Sequence, residues 1–174
     1  MDSQLWYAVL IAAVAAERVA ELVVSQRHVS WALANDGVET GRGHYPPMVA
    51  LHTGLLAACL VEVLVGDRPF LAALGWPMLF LVVAAQGLRW WCIATLGRRW
   101  NTRVVVIPGL PLITGGPYRW LRHPNYVAVV IEGIALPLVH TAWMTALAFT
   151  VLNAVLLLRF RIPAEEQALA SASA

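Results

Sequence analysis

Apolar positions along the chain fall into five runs of helix length, at residues 5–24, 48–65, 70–96, 124–138 and 142–158. The first three are long enough for the about 20 helical residues that a bilayer core requires. The fourth is short for a full crossing and is broken from the fifth only at Pro137 and His140, so the last two runs predict a tilted helical hairpin. Between the runs lie a polar connection at 25–47, a turn at Gly66-Asp67-Arg68-Pro69, and an Arg-, Gly- and Pro-rich stretch at 97–123. Asn35-Asp36-Gly37 and Gly41-Arg42-Gly43-His44 are turn signals, and Pro46-Pro47 suits the first turn of the second helix. Within the long connection, the β-branched run 103–107 is suited to an extended segment. The expected class is therefore all-α, an integral membrane bundle of about five spans.

Composition agrees with the pattern. With 60 % hydrophobic residues and a mean hydropathy of +0.69, the 174-residue chain is too apolar for an ordinary soluble globule and is the size of one domain. Residues 1–96 form three spans on the expected acceptor side, and 97–174 hold a cofactor-binding loop, the hairpin and a C-terminal segment. Every basic residue is Arg, the net charge is only +2, and no basic stripe is present, which excludes a nucleic-acid binder. Cys59 and Cys92 are isolated in apolar runs and give neither a zinc pattern nor a disulfide framework. The first run follows Asp2 and carries Glu17, Arg18 and Glu21, so it reads as a retained helix and not a cleaved signal.

Charge also orients the bundle. Five spans put Arg27, Arg42, the Arg-rich stretch, Arg159 and Arg161 on one side, against Asp2, Asp67, Arg68 and His140 on the other. By the positive-inside rule the Arg-rich side and the C-terminus are cytoplasmic, in a membrane of the bacterial inner type. The Trp90-Trp91 pair suits the interface.

The polar residues are concentrated. Residues 115–126, Gly-Gly-Pro-Tyr-Arg-Trp-Leu-Arg-His-Pro-Asn-Tyr, stand at the mouth of the fourth run, where charge is costly and is usually kept for a task. A second cluster, Arg161 with Glu165 and Glu166, follows the fifth run on the same side. Arg119 and Arg122 offer planar donor forks to a carboxylate or phosphate, and the Glu pair suits an ammonium, a ribose hydroxyl pair or a partner Arg. A zwitterionic, ribose-bearing, partly apolar ligand fits that inventory. No Gly-x-Gly-x-x-Gly follows a strand, and no serine sits in a strained Gly-flanked turn. No metal site is expected: His44 and His52 would lie about 12 Å apart along a helix, too far for one ion.

Gly116-Pro117-Tyr118-Arg119, Arg122-His123-Pro124-Asn125-Tyr126, then Arg161-Ile162 and Glu165-Glu166 leading to Leu169, resemble the signature of the isoprenylcysteine carboxyl methyltransferases, a family similar to the phospholipid methyltransferases. The resemblance covers the chain from about Leu96 onward and implies a membrane enzyme that uses S-adenosylmethionine near the cytosolic face and a lipophilic acceptor from the bilayer. Carried over, Tyr118, Arg119, Arg122, His123, Pro124, Asn125 and Tyr126 border the cofactor, Glu165 closes over it, and Arg161 and Glu166 lie near the transfer site. Two departures stand out: Ala128 occupies a place where the family commonly has Gly, and the sequence ends at Ala174 without the aromatic tail of eukaryotic members. Prenylated protein termini are accordingly not the expected acceptors. The short form resembles bacterial members associated with O-methylation of lipidic polyketides such as alkylpyrones and alkylresorcinols; an isoprenoid acceptor is the other lipid considered.

Methyl transfer from a sulfonium asks chiefly for positioning and exclusion of water. A carboxylate or acidic enol arrives ionised, whereas a phenol benefits from a general base. Glu132 is the expected acceptor-side group, unless it is a buried carboxylate paired with Arg89 or Arg159. His44, Tyr45, His52 and Glu62, with Glu17 and Glu21, are candidates to line the acceptor cavity, with structural pairing between helices as the alternative for each. Glu17 and Glu21 share a helix face with Arg18 nearby, a face that points into the bundle or a polar cavity unless it reaches the membrane interface. A membrane transporter, a nicotinamide-dependent reductase of a lipid and a non-catalytic scaffold are the competing classes; no internal repeat favours a transporter. The enclosure requires 115–126 and 161–166 to touch.

Overall fold

A computed structural model of the chain describes residues 3–172. Within them the order is α1 (Ser3–Leu33), β1 (Val38–Thr40), α2 (Tyr45–Val65), α3 (Ala72–Leu96), β2 (Val104–Val106), α4 (Pro124–Leu138), α5 (Trp143–Leu156) and α6 (Ile162–Ala172), with short 3-10 turns at Arg42–His44, Gly97–Arg99 and Gly116–Arg119. Asp2, counted above on the outer side, lies outside the described residues. Three helical stretches are long and apolar enough to cross a membrane, Arg42–Val65, Ala72–Arg99 and Trp143–Ala172; Pro124–Leu138 is a shorter apolar helix. Phe80, Val83, Leu147 and Leu158 point outward from these helices, as side chains bathed in lipid would.

α1 is longer than expected. It runs through residues 25–33, read above as polar connection, because its polar side chains there find partners instead of ending the helix. Ser25 Oγ lies 2.8 Å from Thr102 Oγ1, His28 Nδ1 donates to the Trp100 carbonyl at 2.7 Å, and Val29 and Ala32 are buried. The helix stops at the Asn35-Asp36-Gly37 signal. Asp36 adopts φ 61°, and the Gly37 amide donates back to Ala32 O at 2.9 Å, which closes the last turn.

The all-α class needs one addition. β1 and β2 pair antiparallel, with Val38 opposite Val106 and Thr40 opposite Val104, so the β-branched run is extended and finds its partner in the first connection. Glu39 on β1 holds both Arg42 at 3.0 Å and Arg103 at 3.2 Å, tying the ribbon to the start of α2.

The core lies between α1, α2, α3 and the α4–α5 hairpin: Tyr7, Ile11, Leu55, Val63, Val82, Leu136, Val139 and Phe149 are all buried in it. Tyr7 donates to the Leu136 carbonyl at 3.0 Å, which satisfies a phenol in an apolar setting. Gly133 sets the spacing of the hairpin, since a Cβ there would fall 2.1 Å from the Phe149 ring. α5 does not end in a loop. It passes through a π turn at Leu157–Arg161 straight into α6, so the expected 142–158 helix and the Arg161–Glu166 cluster are one continuous rod.

Candidate functional site

A cavity of about 730 Å³ opens between the 3-10 turn at Gly116–Arg119, the start of α4, the π turn and α6, and extends inward to α1, α2 and α3. Gly116 takes φ 54° and presses its turn onto α3, where any Cβ would lie 2.3 Å from Thr95 Oγ1. That contact seats Tyr118, whose ionisation is pushed well up by burial. His123 then precedes Pro124 at the first position of α4.

The two polar clusters meet here. The Tyr126 hydroxyl donates to Glu165 Oε2 at 2.5 Å and its ring stacks on His123, with centroids 5.5 Å apart. His123 faces a carboxylate on each side, with Nδ1 3.4 Å from Glu165 Oε1 and Nε2 3.4 Å from Glu166 Oε1. The Glu165 carboxylate beside it raises its proton affinity above that of an ordinary imidazole, against a smaller opposing effect of burial.

The π turn explains how one rod supplies so much of the wall. Asn153, Leu157, Arg161, Glu165 and Leu169 all line the cavity at steps of four residues. Each step overshoots the turn of an α-helix by about 40°. A π turn absorbs an extra residue and returns the later members of the stripe to the face of Asn153.

Of the residues anticipated from sequence, Tyr118, Arg122, His123, Pro124, Asn125, Tyr126, Arg161, Glu165, Glu166 and His52 stand on the cavity wall. Arg119 is exposed beside the cavity and outside its wall. His44 packs against Phe160, 5.2 Å between centroids, and Tyr45 lies under the Arg103 guanidinium at 4.9 Å; neither lines the cavity. Glu62 is about 15 Å further along α2 than His52. It accepts the amides of Met144 at 3.2 Å and Thr145 at 2.7 Å and binds Arg68 at 3.1 Å, so it caps the N-terminus of α5, where the helix dipole favours an anion.

Glu132 is one layer behind the wall. It is buried and bound to Arg89, with Arg18 at 3.6 Å, which is the paired state weighed above as its alternative. Arg18 and Arg89 do reach the wall, as does Glu21.

The wall carries polar atoms left open, and two of the residues that bear them, Asn101 and Asn153, were not singled out from the sequence. Asn101, Asn125 and Asn153 each turn a buried Oδ1 without a hydrogen-bond partner among the described residues, and Arg161 has an unpartnered Nε while its Nη2 donates to Thr102 O at 2.9 Å. Asn153 had one available signal: it is the lone amide in the apolar run of α5. Together the wall offers acceptors to an ammonium or hydroxyl pair and guanidinium donors to a carboxylate. That donor set fits S-adenosylmethionine, which carries each of those groups. No group of three or more His, Cys, Asp or Glu suited to a metal ion occurs among the described residues.

Comparison with known proteins gives the family. Residues 78–171, more than half of the chain, match the family described as Isoprenylcysteine carboxyl methyltransferase (ICMT). The chain is also 35 % identical over 161 residues to the uncharacterized protein YpbQ of Bacillus subtilis, covering 92 % of this chain and 94 % of that protein. The matched segment carries the whole of the Tyr118–Tyr126 and Arg161–Glu166 enclosure, and this protein belongs to the isoprenylcysteine carboxyl methyltransferase family, a family of membrane methyltransferases.

Proposed function

We propose that the protein methylates an oxygen of a lipophilic acceptor, a carboxylate, enol or phenol, with S-adenosylmethionine as donor. The observation that carries this function is the contact of Tyr126 and His123 with Glu165 and Glu166 across one end of a cavity whose other end runs between apolar helices. The bundle crosses the membrane five times, α1 and the short α4 included, with the Arg-rich connection and the C-terminus cytoplasmic.

Bound there, S-adenosylmethionine supplies an electrophilic methyl group on a sulfonium. Arg161 and Arg122 hold its carboxylate, while Asn101, Asn125 and Glu165 receive its ammonium and ribose hydroxyls. Glu166 with His123 closes the aqueous side, and Tyr126 keeps Glu165 aimed inward. Leu110, Leu112 and Ile113 on one edge, with Val49 and Leu56 on α2, form an apolar approach along which an acceptor slides in from the bilayer. His52 meets the acceptor head group. Glu132 acts through Arg89 as a positioning residue. Family membership weighs against transport and nicotinamide-dependent reduction, and nothing in the site favours either.

The test is titration calorimetry of the purified, folded protein with S-adenosylmethionine, followed by labelled-methyl transfer into a membrane lipid extract. Binding together with a labelled O-methyl lipid is expected. A folded protein that neither binds the donor nor labels any lipid would overturn the function.

A further inference from the structure

The inner end of the cavity is walled by an ion cluster that the donor site does not use. Arg18 holds Glu21 Oε2 at 2.8 Å and Gln86 Oε1 at 2.8 Å, with Glu17 at 3.7 Å and Glu132 at 3.6 Å. Arg89 binds Glu132 and stands 3.5 Å from Glu21 Oε1. Glu17 also accepts from Gln86 and, at 2.6 Å, from the Trp90 indole. Three carboxylates thus face two guanidiniums, an excess of one negative charge among apolar helices, where such a charge is expensive.

Of the three carboxylates only that of Glu21 lines the cavity. It too faces both guanidiniums, yet its Oε1, 3.5 Å from Arg89 Nε, has no hydrogen-bond partner among the described residues. Glu21 is only 4 % exposed and lies on the cavity wall. The remaining titratable neighbour is His52 on α2, also on the wall, whose Nδ1 faces the Met48 carbonyl at 2.9 Å.

Resting on the methyl-transfer function above, we infer that Glu21 is the proton acceptor for the acceptor hydroxyl, and that the inner cavity selects a neutral O–H group over a carboxylate. As the hydroxyl oxygen bonds to the methyl carbon, its O–H bond breaks and the proton passes to Glu21 Oε1. The electron pair of the broken carbon–sulfur bond stays on sulfur. A neutral hydroxyl donates to the orphaned oxygen and relieves the excess charge, whereas a carboxylate doubles that excess.

The experiment compares wild type, Glu21→Gln and Glu21→Asp with a long-chain alkylphenol, which arrives neutral, and a long-chain alkylnitrophenol, which arrives largely ionised. Glu21→Gln should lose about 100-fold in kcat/KM with the alkylphenol, the usual worth of a general base, and less than about tenfold with the nitrophenol. The acid limb of the wild-type pH profile should vanish in Glu21→Gln and persist in Glu21→Asp. Independently of turnover, calorimetry in two buffers of different ionisation enthalpy should find that the nitrophenolate binds wild type with uptake of about one proton, and Glu21→Gln with none. Unchanged affinity for S-adenosylmethionine reports an intact fold. Failure of wild type to bind the donor would sink the proposed function; an active wild type would leave that function standing and sink only the role of Glu21 if it took up no proton, or if the acid limb followed His52→Gln instead. Should both Glu21 variants misfold, the wild-type proton count alone decides.

Discussion

Two polar assemblies sit in this bundle, and they are built in opposite ways. The clamp of His123, Tyr126, Glu165 and Glu166 joins two short sequence motifs at the aqueous end, is part-exposed, and holds together by a few contacts of 2.5 to 3.4 Å. The inner cluster of Glu17, Arg18, Glu21, Gln86, Arg89 and Glu132 draws on three helices and is largely buried. An assembly that must open for a soluble ligand cannot be deeply buried, whereas charges kept among apolar helices are held there by pairing with one another. The first should therefore govern affinity, and the second stability and acceptor chemistry.

The sharpest way to break the contrast is Arg89→Ala. It strips Glu132 of its closest partner and should destabilise the folded protein by about 3–5 kcal/mol, read as loss of thermal stability in detergent. A loss below about 1 kcal/mol would show that the inner cluster is not a structural pair. Next is Gly133→Ala on the hairpin that carries Glu132 on one helix and leads into the clamp on the other. Overpacking against Phe149 should cost about 1–3 kcal/mol and weaken both assemblies together. Tyr126→Phe removes one donor from Glu165. Calorimetry should find S-adenosylmethionine affinity reduced by about tenfold with stability nearly unchanged, and a stability loss larger than the affinity loss would erase the distinction between the two regions.

The smallest effect concerns pH. His123 binds its proton more tightly in the folded protein than the usual value of about 6.5. Its raised affinity means that the His123 contribution is fully present below about pH 6.5 and is lost as pH rises through the higher folded value. The stability difference between wild type and His123→Gln, followed by thermal shift, should therefore shrink at alkaline pH and stay under about 1 kcal/mol throughout, because the ring is partly exposed.

The clamp was legible in the sequence because its residues are dense and local: Tyr118 to Tyr126 and Arg161 to Glu166 announce themselves against an aliphatic background. Glu62 was not. Its carboxylate is spent on the amides of Met144 and Thr145, more than 80 positions away, and no spacing rule reveals a cap of that kind. His44 and Tyr45 look like site residues beside Pro46-Pro47, yet packing hands one to Phe160 and the other to Arg103. Asn101 and Asn153 were missed for the converse reason, since a single amide in a loop or an apolar run carries no periodic signature.

By itself the sequence determined the apolar helices, the turn at Asn35-Asp36-Gly37, the extended run beside Arg103 and the motif residues of the clamp, because each depends on neighbours within a turn or two of chain. Only the tertiary structure decided which charges pair between helices, whereas Arg18 and Glu21, three residues apart on α1, pair locally. Arg89 meets Glu132 across 43 positions and Ser25 meets Thr102 across 77, distances set by how helices pack and not by any local preference. The π turn belongs to both: its residues are ordinary helix formers, and the need to bring Asn153, Arg161 and Glu165 onto one wall is what gives their extra residue a use.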